Sequence, residues 1–144
     1  MKLLFVCTGN TCRSPMAAAL MNKLSKDNNI DVTSESAGIF AEEGSGASEN
    51  AVLAMENYGI DLTSHKARQL SEKIIEEADI VLTMTEGHKM MISSYAPEKI
   101  FSLYEFIGSY GDIQDPYGGD LEEYEETASE LFGVLEELVE VLVE

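Results

Sequence analysis

Apolar and polar positions change their spacing several times along the chain, and each change marks an element. Residues 2–6 form a short continuous apolar run ending in a Thr-Gly turn, the pattern of a strand buried on both faces. From Ser14 the spacing lengthens. Met16, Ala17, Leu20, Met21 and Leu24 recur at three and four residues behind a Ser-Pro opening, which predicts a helix. Residues 30–37 alternate and predict a second strand, closed by Gly38. A helix over 48–58 with Gly59 as its C-terminal cap follows, then a short helix over 71–78. The run DIVLTM at 79–84 reads as a buried strand, 86–95 as a helix, 99–103 as a fourth strand and 103–110 as a short helix. Residues 112–120, rich in Gly, Asp and Pro, predict a loop. The last segment carries the clearest stripe: Leu121, Tyr124, Ala128, Leu131, Leu135, Leu138 and Leu142 share one helical face, while Glu122, Glu126, Glu136 and Glu140 fall largely off it.

Strands alternating with helices predict an α/β fold with a parallel sheet flanked by helices on both faces. The 144 residues suffice for one domain with a proper core and are too few for two, so residues 1–144 are expected to form a single domain. Ligands of such sheets sit beyond the carboxyl ends of the strands. The segment VCTGNTCRSP, residues 6–15, stands at that place after the first strand.

Charge narrows the function classes. A formal net charge of −18 argues against nucleic acid, whose phosphates require Lys and Arg, and against anionic membranes. Ten acidic residues and no basic ones lie between Asp120 and Glu144, which reads first as a solvated helix face and second as a field favouring cationic substrates. No apolar run approaches the ~18–20 residues of a membrane span. The opening MKLLFVC is too short for a signal peptide and lacks a small-residue cleavage site, so a cytoplasmic location is expected. Cys7 and Cys12, five apart, fit neither a zinc pattern nor a CxxC redox motif and are expected as thiols. His65 and His88 are too few and too scattered for a metal site, and His88 reads as an ordinary helix histidine.

The loop at 6–15 holds both cysteines and one of the two arginines of the chain. A strand, a tight loop and a helix N-terminus make an anion site, because backbone N–H groups converge and the helix dipole adds partial positive charge. Gly9 and Asn10 tolerate the backbone angles that such a cradle requires. A Walker-type loop would carry a Lys, which is absent, and GSGASE at 44–49 lacks the third Gly of a dinucleotide fingerprint and reads as a loop. Cys7, a five-residue gap, then Arg13 and Ser14 can close over one anion. Arg13 offers a planar fork for two phosphate oxygens. The same positive surroundings are expected to depress the Cys7 thiol from ~8.5 into the range of about 3.5–7.5 of activated thiols, with Ser14 donating to the thiolate. Such a thiolate can attack phosphorus and form a phosphocysteine. Asp115, stiffened by Pro116 and followed by Gly118 and Gly119, is the candidate acid for the leaving group.

These residues resemble the low-molecular-weight protein tyrosine phosphatase family over essentially the whole chain. The resemblance rests on VCTGNTCRSP, on SHKARQL at 64–70, on DIVLTM, and on DPYGG followed by a terminal helix. It implies a four-stranded parallel sheet with the phosphate-binding loop after the first strand, and neither metal nor organic cofactor. It implies that Cys7 is the nucleophile, Arg13 the phosphate clamp and Ser14 the stabiliser of the thiolate, and that Thr8, Gly9, Asn10, Thr11 and Cys12 complete the cradle. Asn10 is implied to hold the loop through a network with Ser36 and His65. Asp115 is implied to protonate the leaving group and then activate water. Cys12 is implied to pair with an oxidised Cys7 and protect it. Residues 39–46 with Phe40 match a variable loop walling the pocket, and Tyr117 matches an aromatic that contacts substrate.

Two positions bear on the substrate. Where the tyrosine-specific branch carries an aliphatic side chain, this chain has Thr11, and after Asp-Pro it has a single aromatic, Tyr117, then Gly118. Thr11 and DPYGG resemble the bacterial protein-arginine phosphatase branch. Phosphotyrosine presents a flat apolar ring, which suits aliphatic walls, whereas phosphoarginine places a polar guanidinium beside phosphorus, where a hydroxyl can hydrogen-bond. The lead expectation is therefore a phosphoarginine phosphatase acting as a monomer on phosphorylated proteins. A phosphotyrosine phosphatase, with Thr11 only a near-isostere of Val, is the alternative. A non-hydrolysing phosphocysteine carrier is the outside alternative and would need neither Arg13 nor Asp115. A thiol-dependent arsenate reductase would need further cysteines, and none follows Cys12.

Overall fold

The computed structural model describes residues 1–143. Four parallel strands form one sheet: β1 (Lys2–Cys7), β2 (Thr33–Gly38), β3 (Ile80–Thr83) and β4 (Ile100–Ser102), in the order β2-β1-β3-β4. Six helices accompany them among the described residues: α1 (Arg13–Asp27), α2 (Glu49–Glu56), α3 (Glu72–Glu77), α4 (Glu86–Ile92), α5 (Leu103–Phe106) and α6 (Leu121–Val143). β1 lies inside the sheet, with Val6 opposite Ala37 on one side and Thr83 on the other. That position explains its unbroken apolar run, since both of its faces are covered.

Alternate residues of β1 serve two cores. Leu3 and Phe5 pack with α1, α2, α5 and α6. Leu4 and Val6 pack on the opposite face with Ile75, Ala78, Val81, Ala96 and Ile100, under α3 and α4. The stripe of α6 is buried at Tyr124, Ala128, Leu131, Leu135 and Leu138 as its spacing predicts, with Val134 and Val139 added. Burial of each such Leu stabilises the fold by ~1.5–3 kcal/mol. Among the described residues, no helix is long and apolar enough to cross a membrane.

Three boundaries differ from the sequence pattern by more than two residues. β2 begins at Thr33 rather than residue 30, because Asn29 turns the chain at φ +54 after α1, and Ile30 and Val32 pack against the core as loop residues. α4 stops at Ile92 rather than residue 95, well before Pro97. α5 ends at Phe106, with Gly108 at φ +80 beyond it, and begins in a capping box of Ser102 and Glu105 that also ends β4.

The chain leaves β1 toward α1 beside β2, and leaves β3 toward α4 on the other side. This is the point where strand order reverses, the place at which such sheets bind ligands.

Candidate active site

Residues 7–14 connect β1 to α1 in a loop whose carbonyl oxygens face outward. Ile39 N–H donates to Cys7 O at 2.9 Å, Phe40 N–H to Thr8 O at 2.9 Å, and Ser48 N–H to Thr11 O at 2.9 Å. The Asn10 carbonyl accepts from His65 Nε2 at 2.7 Å, which fixes the proton of that imidazole on Nε2. With the carbonyls drawn outward, N–H groups turn inward, and those of Asn10 and Ser14 meet the Cys7 sulfur. Cys12 occupies the N-cap position of α1 and makes no side-chain cap, so the first N–H groups of that helix stay available to an anion.

The backbone strain of the loop falls on Asn10, at φ +58; Gly9 does not take a positive φ. Asn10 is fully buried and every polar group of its side chain is engaged. Its Nδ2 donates to Ser14 Oγ at 2.9 Å, and its Oδ1 accepts from Arg68 N–H at 3.0 Å. Ser14 Oγ, already accepting from Asn10, has one hydrogen left to give, and Cys7 Sγ lies 2.8 Å away. Gly38, opposite Cys7 in the sheet, closes the loop from below: a Cβ there would stand 2.6 Å from Thr8 O and 3.0 Å from Asn10 N.

Cys7 departs from expectation in one respect. Its thiol is pushed up, not down. Burial is the largest influence and raises it, while the Ser14 hydroxyl, the N–H groups of Ser14 and Asn10 and the Arg13 guanidinium all lower it without offsetting the burial.

Arg13 is buried and reaches across to the loop before α6. Its Nη1 donates to Ile113 O at 3.0 Å, and its Nη2 lies 3.5 Å from Asp115 Oδ2. Ile113 is fully buried and pinned by its own N–H to Met84 O at 2.9 Å, so the end of β3 positions the segment that carries Asp115. The other Asp115 oxygen accepts from Tyr117 N–H at 3.0 Å in an Asx turn, with Gly118 following at φ +81. A cavity of about 240 Å³ opens between the two segments, lined by Cys7, Thr8, Gly9, Thr11, Cys12 and Arg13 on one side and by Asp115 and Tyr117 on the other.

A nucleophilic sulfur, convergent anion donors and a carboxylate thus meet in one cleft. The sequence model of the low molecular weight phosphotyrosine protein phosphatases matches residues 2–144. The chain belongs to that family. Among its relatives is the protein-arginine-phosphatase of Geobacillus stearothermophilus, 46% identical over 145 residues, covering 98% of this chain and 95% of the relative. A solved low molecular weight protein tyrosine phosphatase from T. tengcongensis is 49% identical with a TM-score of 0.93, covering 97% of this chain and 98% of that one. The structure of the YwlE arginine phosphatase, a Cys-to-Ser variant with a phosphorylated active-site serine, superimposes with a TM-score of 0.95 at 40% identity, covering 100% and 97%.

Within this family fold, one sequence expectation needs correction. Phe40 is exposed and does not line the cavity, nor does any other residue of 39–46. That segment is drawn to the sheet edge instead, with Gly44 and Ser45 pairing with Ala67 and the Gln69 amide bridging Ile39 and Ala41. Ser36 joins the loop network through its carbonyl, which accepts from Arg68 Nε at 2.8 Å.

Other participants escaped the sequence reading. Arg68 holds Asn10 through its backbone and Ser36 and Glu35 through its side chain. Glu35 is held below the usual carboxylate range: burial opposes this, and Arg68 and Lys2 overcome it. Tyr124 contacts Cys12 Sγ at 3.3 Å from α6, and burial together with that contact pushes its hydroxyl up to about 12. Both cysteines are free thiols. His88, read as an ordinary helix histidine, is buried beside the loop with Nε2 2.9 Å from Thr8 Oγ1. It follows β3 directly, so the rule that draws attention to the end of β1 also reaches it.

Proposed function

We propose that this chain removes phosphate from phosphoarginine in proteins through a phosphocysteine on Cys7. In the first step the Cys7 sulfur attacks phosphorus while the P–N bond breaks, and Asp115 gives its proton to the departing guanidine nitrogen. In the second, water attacks phosphorus, Asp115 takes the water proton, the S–P bond breaks, and phosphate leaves with the thiolate restored. Arg13 and the inward N–H groups hold the phosphoryl oxygens throughout, and their worth is greatest as charge builds on them. Ser14 stabilises the thiolate, and Asn10 and His65 keep the loop closed.

The observation that carries the arginine reading is the polar wall of the cavity. Thr11 lines it, with its backbone fixed by Ser48 and its hydroxyl 3.7 Å from Cys12 Sγ. The Geobacillus relative, named for the same activity, supports this reading. A phosphotyrosine specificity is favoured by the T. tengcongensis relative and by Tyr117, an exposed aromatic at the rim. Arg13 and Asp115 together over Cys7 speak against a mere phosphate carrier. The site is complete within one chain, which supports a monomeric enzyme. Two free thiols in the site support a reducing, cytoplasmic setting.

The deciding experiment is side-by-side turnover of phosphoarginine and phosphotyrosine peptides. The arginine substrate should win in kcat/KM, and Thr11→Ile should shift the ratio toward tyrosine. A ratio favouring tyrosine in the unmodified protein would overturn the substrate assignment. Turnover surviving Cys7→Ser would overturn the mechanism.

A further inference from the structure

The proposed reaction leaves the buried imidazole of His88 idle. His88 is 7% exposed and sits in the first turn of α4, its backbone N–H capped by Thr85 Oγ1 at 3.0 Å. Its imidazole faces the phosphate loop, with Nε2 2.9 Å from the hydroxyl of Thr8, and Thr8 lines the cavity. The opposite nitrogen, Nδ1, is buried without a partner among the described residues. Burial and the Arg13 guanidinium disfavour a second proton on the ring; Asp115 and Asp112 act the other way and do not offset them. The neutral ring then has one proton to place. On Nδ1 it would be a buried N–H with nothing to receive it, the rarer and costlier kind of orphan. On Nε2 it reaches Thr8 and leaves only a lone pair at Nδ1.

With Nε2–H as the donor, the Thr8 oxygen accepts and its own hydrogen is released from the contact. We propose that His88 is a positioning residue of the phosphate cavity: it grips the Thr8 oxygen so that the Thr8 hydroxyl hydrogen is presented to a bound phosphoryl group. The cradle thereby gains a side-chain donor in the same cavity as the Arg13 fork. The inference rests on the reading of this cavity as the phosphate site. It extends that reading to a pair of residues, Thr8 from the loop after β1 and His88 from the first turn of α4 after β3.

The test begins with the imidazole nitrogens of His88 in the unmodified protein, observed by ¹⁵N NMR. Nε2 is expected to carry the proton, and a proton on Nδ1 would overturn the proposal. Binding of inorganic phosphate is then measured by calorimetry for Thr8→Val, His88→Phe, His88→Gln and the Thr8→Val/His88→Phe double variant. Each of the first two should weaken phosphate roughly three- to tenfold, the scale of one net hydrogen bond. The double variant should be no weaker than the poorer single one, because the two residues act through one hydroxyl. His88→Gln, whose amide N–H can reach the same oxygen, should recover most of the loss. Unchanged affinity in Thr8→Val, or losses that multiply in the double variant, would sink the idea. Should His88→Phe not fold, the NMR result and Thr8→Val decide alone. Absence of phosphate binding in the unmodified protein would count against the cavity assignment itself, whereas normal binding with indifferent variants counts only against the role of His88.

Discussion

Removing the Ser14 hydroxyl tests the chemistry of the nucleophile most directly. Ser14 Oγ lies 2.8 Å from Cys7 Sγ and accepts from Asn10 Nδ2, so its hydrogen is directed at sulfur. Among the influences that pull the Cys7 thiol down, this hydrogen bond is the largest, ahead of two backbone N–H groups and Arg13. Burial already pushes the thiol up, and Ser14→Ala removes the main counterweight. A hydrogen bond to a charged partner contributes ~1.5–3 kcal/mol, and neither partner is solvent-screened here, since Ser14 is fully buried and Cys7 nearly so. The thiolate population at a pH below its ionisation midpoint should therefore fall roughly ten- to a hundredfold. The acid limb of kcat/KM should move to higher pH by the corresponding amount, and the two proteins should converge on the alkaline side. The same shift should appear in the pH dependence of Cys7 alkylation, located by mass spectrometry to separate it from Cys12. Phosphate affinity serves as the control for loop geometry, because the substitution also leaves Asn10 Nδ2 without its acceptor. An alkylation profile in Ser14→Ala that overlays the unmodified one, with phosphate binding intact, would refute the assignment of Ser14 as thiolate donor.

Asp115→Asn should cost about two to four orders of magnitude on phosphoarginine, the range of general acid catalysis, and much less on p-nitrophenyl phosphate; equal losses on both would remove Asp115 from the acid role. Asn10→Ala should lower stability by about 2–4 kcal/mol, from two orphaned partners and a left-handed φ, and calorimetry should record a Tm lower by roughly 5–15 °C. Asn10→Gly should recover only the backbone part, and full recovery would show that the side-chain bridge to Ser14 and Arg68 is idle. Gly38→Ala, whose Cβ would stand 2.6 Å from a backbone oxygen of the loop, should cost ~1–3 kcal/mol and weaken phosphate binding together, measured by denaturant titration and calorimetry. A neutral result would mean that the loop has room to move.

Much of this architecture is written in local pattern. The run at 2–6, the DIVLTM strand and the stripe of α6 are visible because each buries one regular set of side chains on its own element. The loop at 7–14 is legible for a similar reason, since its nucleophile, clamp and cap are consecutive. Asp115 is harder to see, and became visible only through its turn chemistry and the family resemblance. Ile113, which fixes its height above the sheet, carries no mark in sequence, because its role depends on meeting Met84 O and Arg13 from a separate loop. Gly38 is similar: it matters only because parallel register sets it opposite Cys7. The direction of the Cys7 shift was misread for the same physical reason. Donors around a thiol can be counted from the chain, but the burial that outweighs them is a property of the packed fold.

The two arginines make the point in one comparison. An acidic chain of net charge −18 places Arg13 inside the loop and Arg68 directly behind it. Arg13 was legible because it sits in the motif. Arg68 lies within SHKARQL, but that segment carries no sign of its role, although Arg68 does comparable mechanical work from the other side. Its side chain spans Ser36 O at 2.8 Å and Glu35 at 3.0 Å, which anchors it on β2, and its backbone N–H then meets Asn10 Oδ1 at 3.0 Å. A planar guanidinium suits this task because Nε and Nη2 project in fixed, different directions, one to a carbonyl and one to a carboxylate. An ammonium on a flexible stem would hold either partner but would not set the strand edge at a fixed angle to the loop. The strained Asn10 conformation is thus sustained by β2 through Arg68, and the cradle that Arg13 completes depends on it.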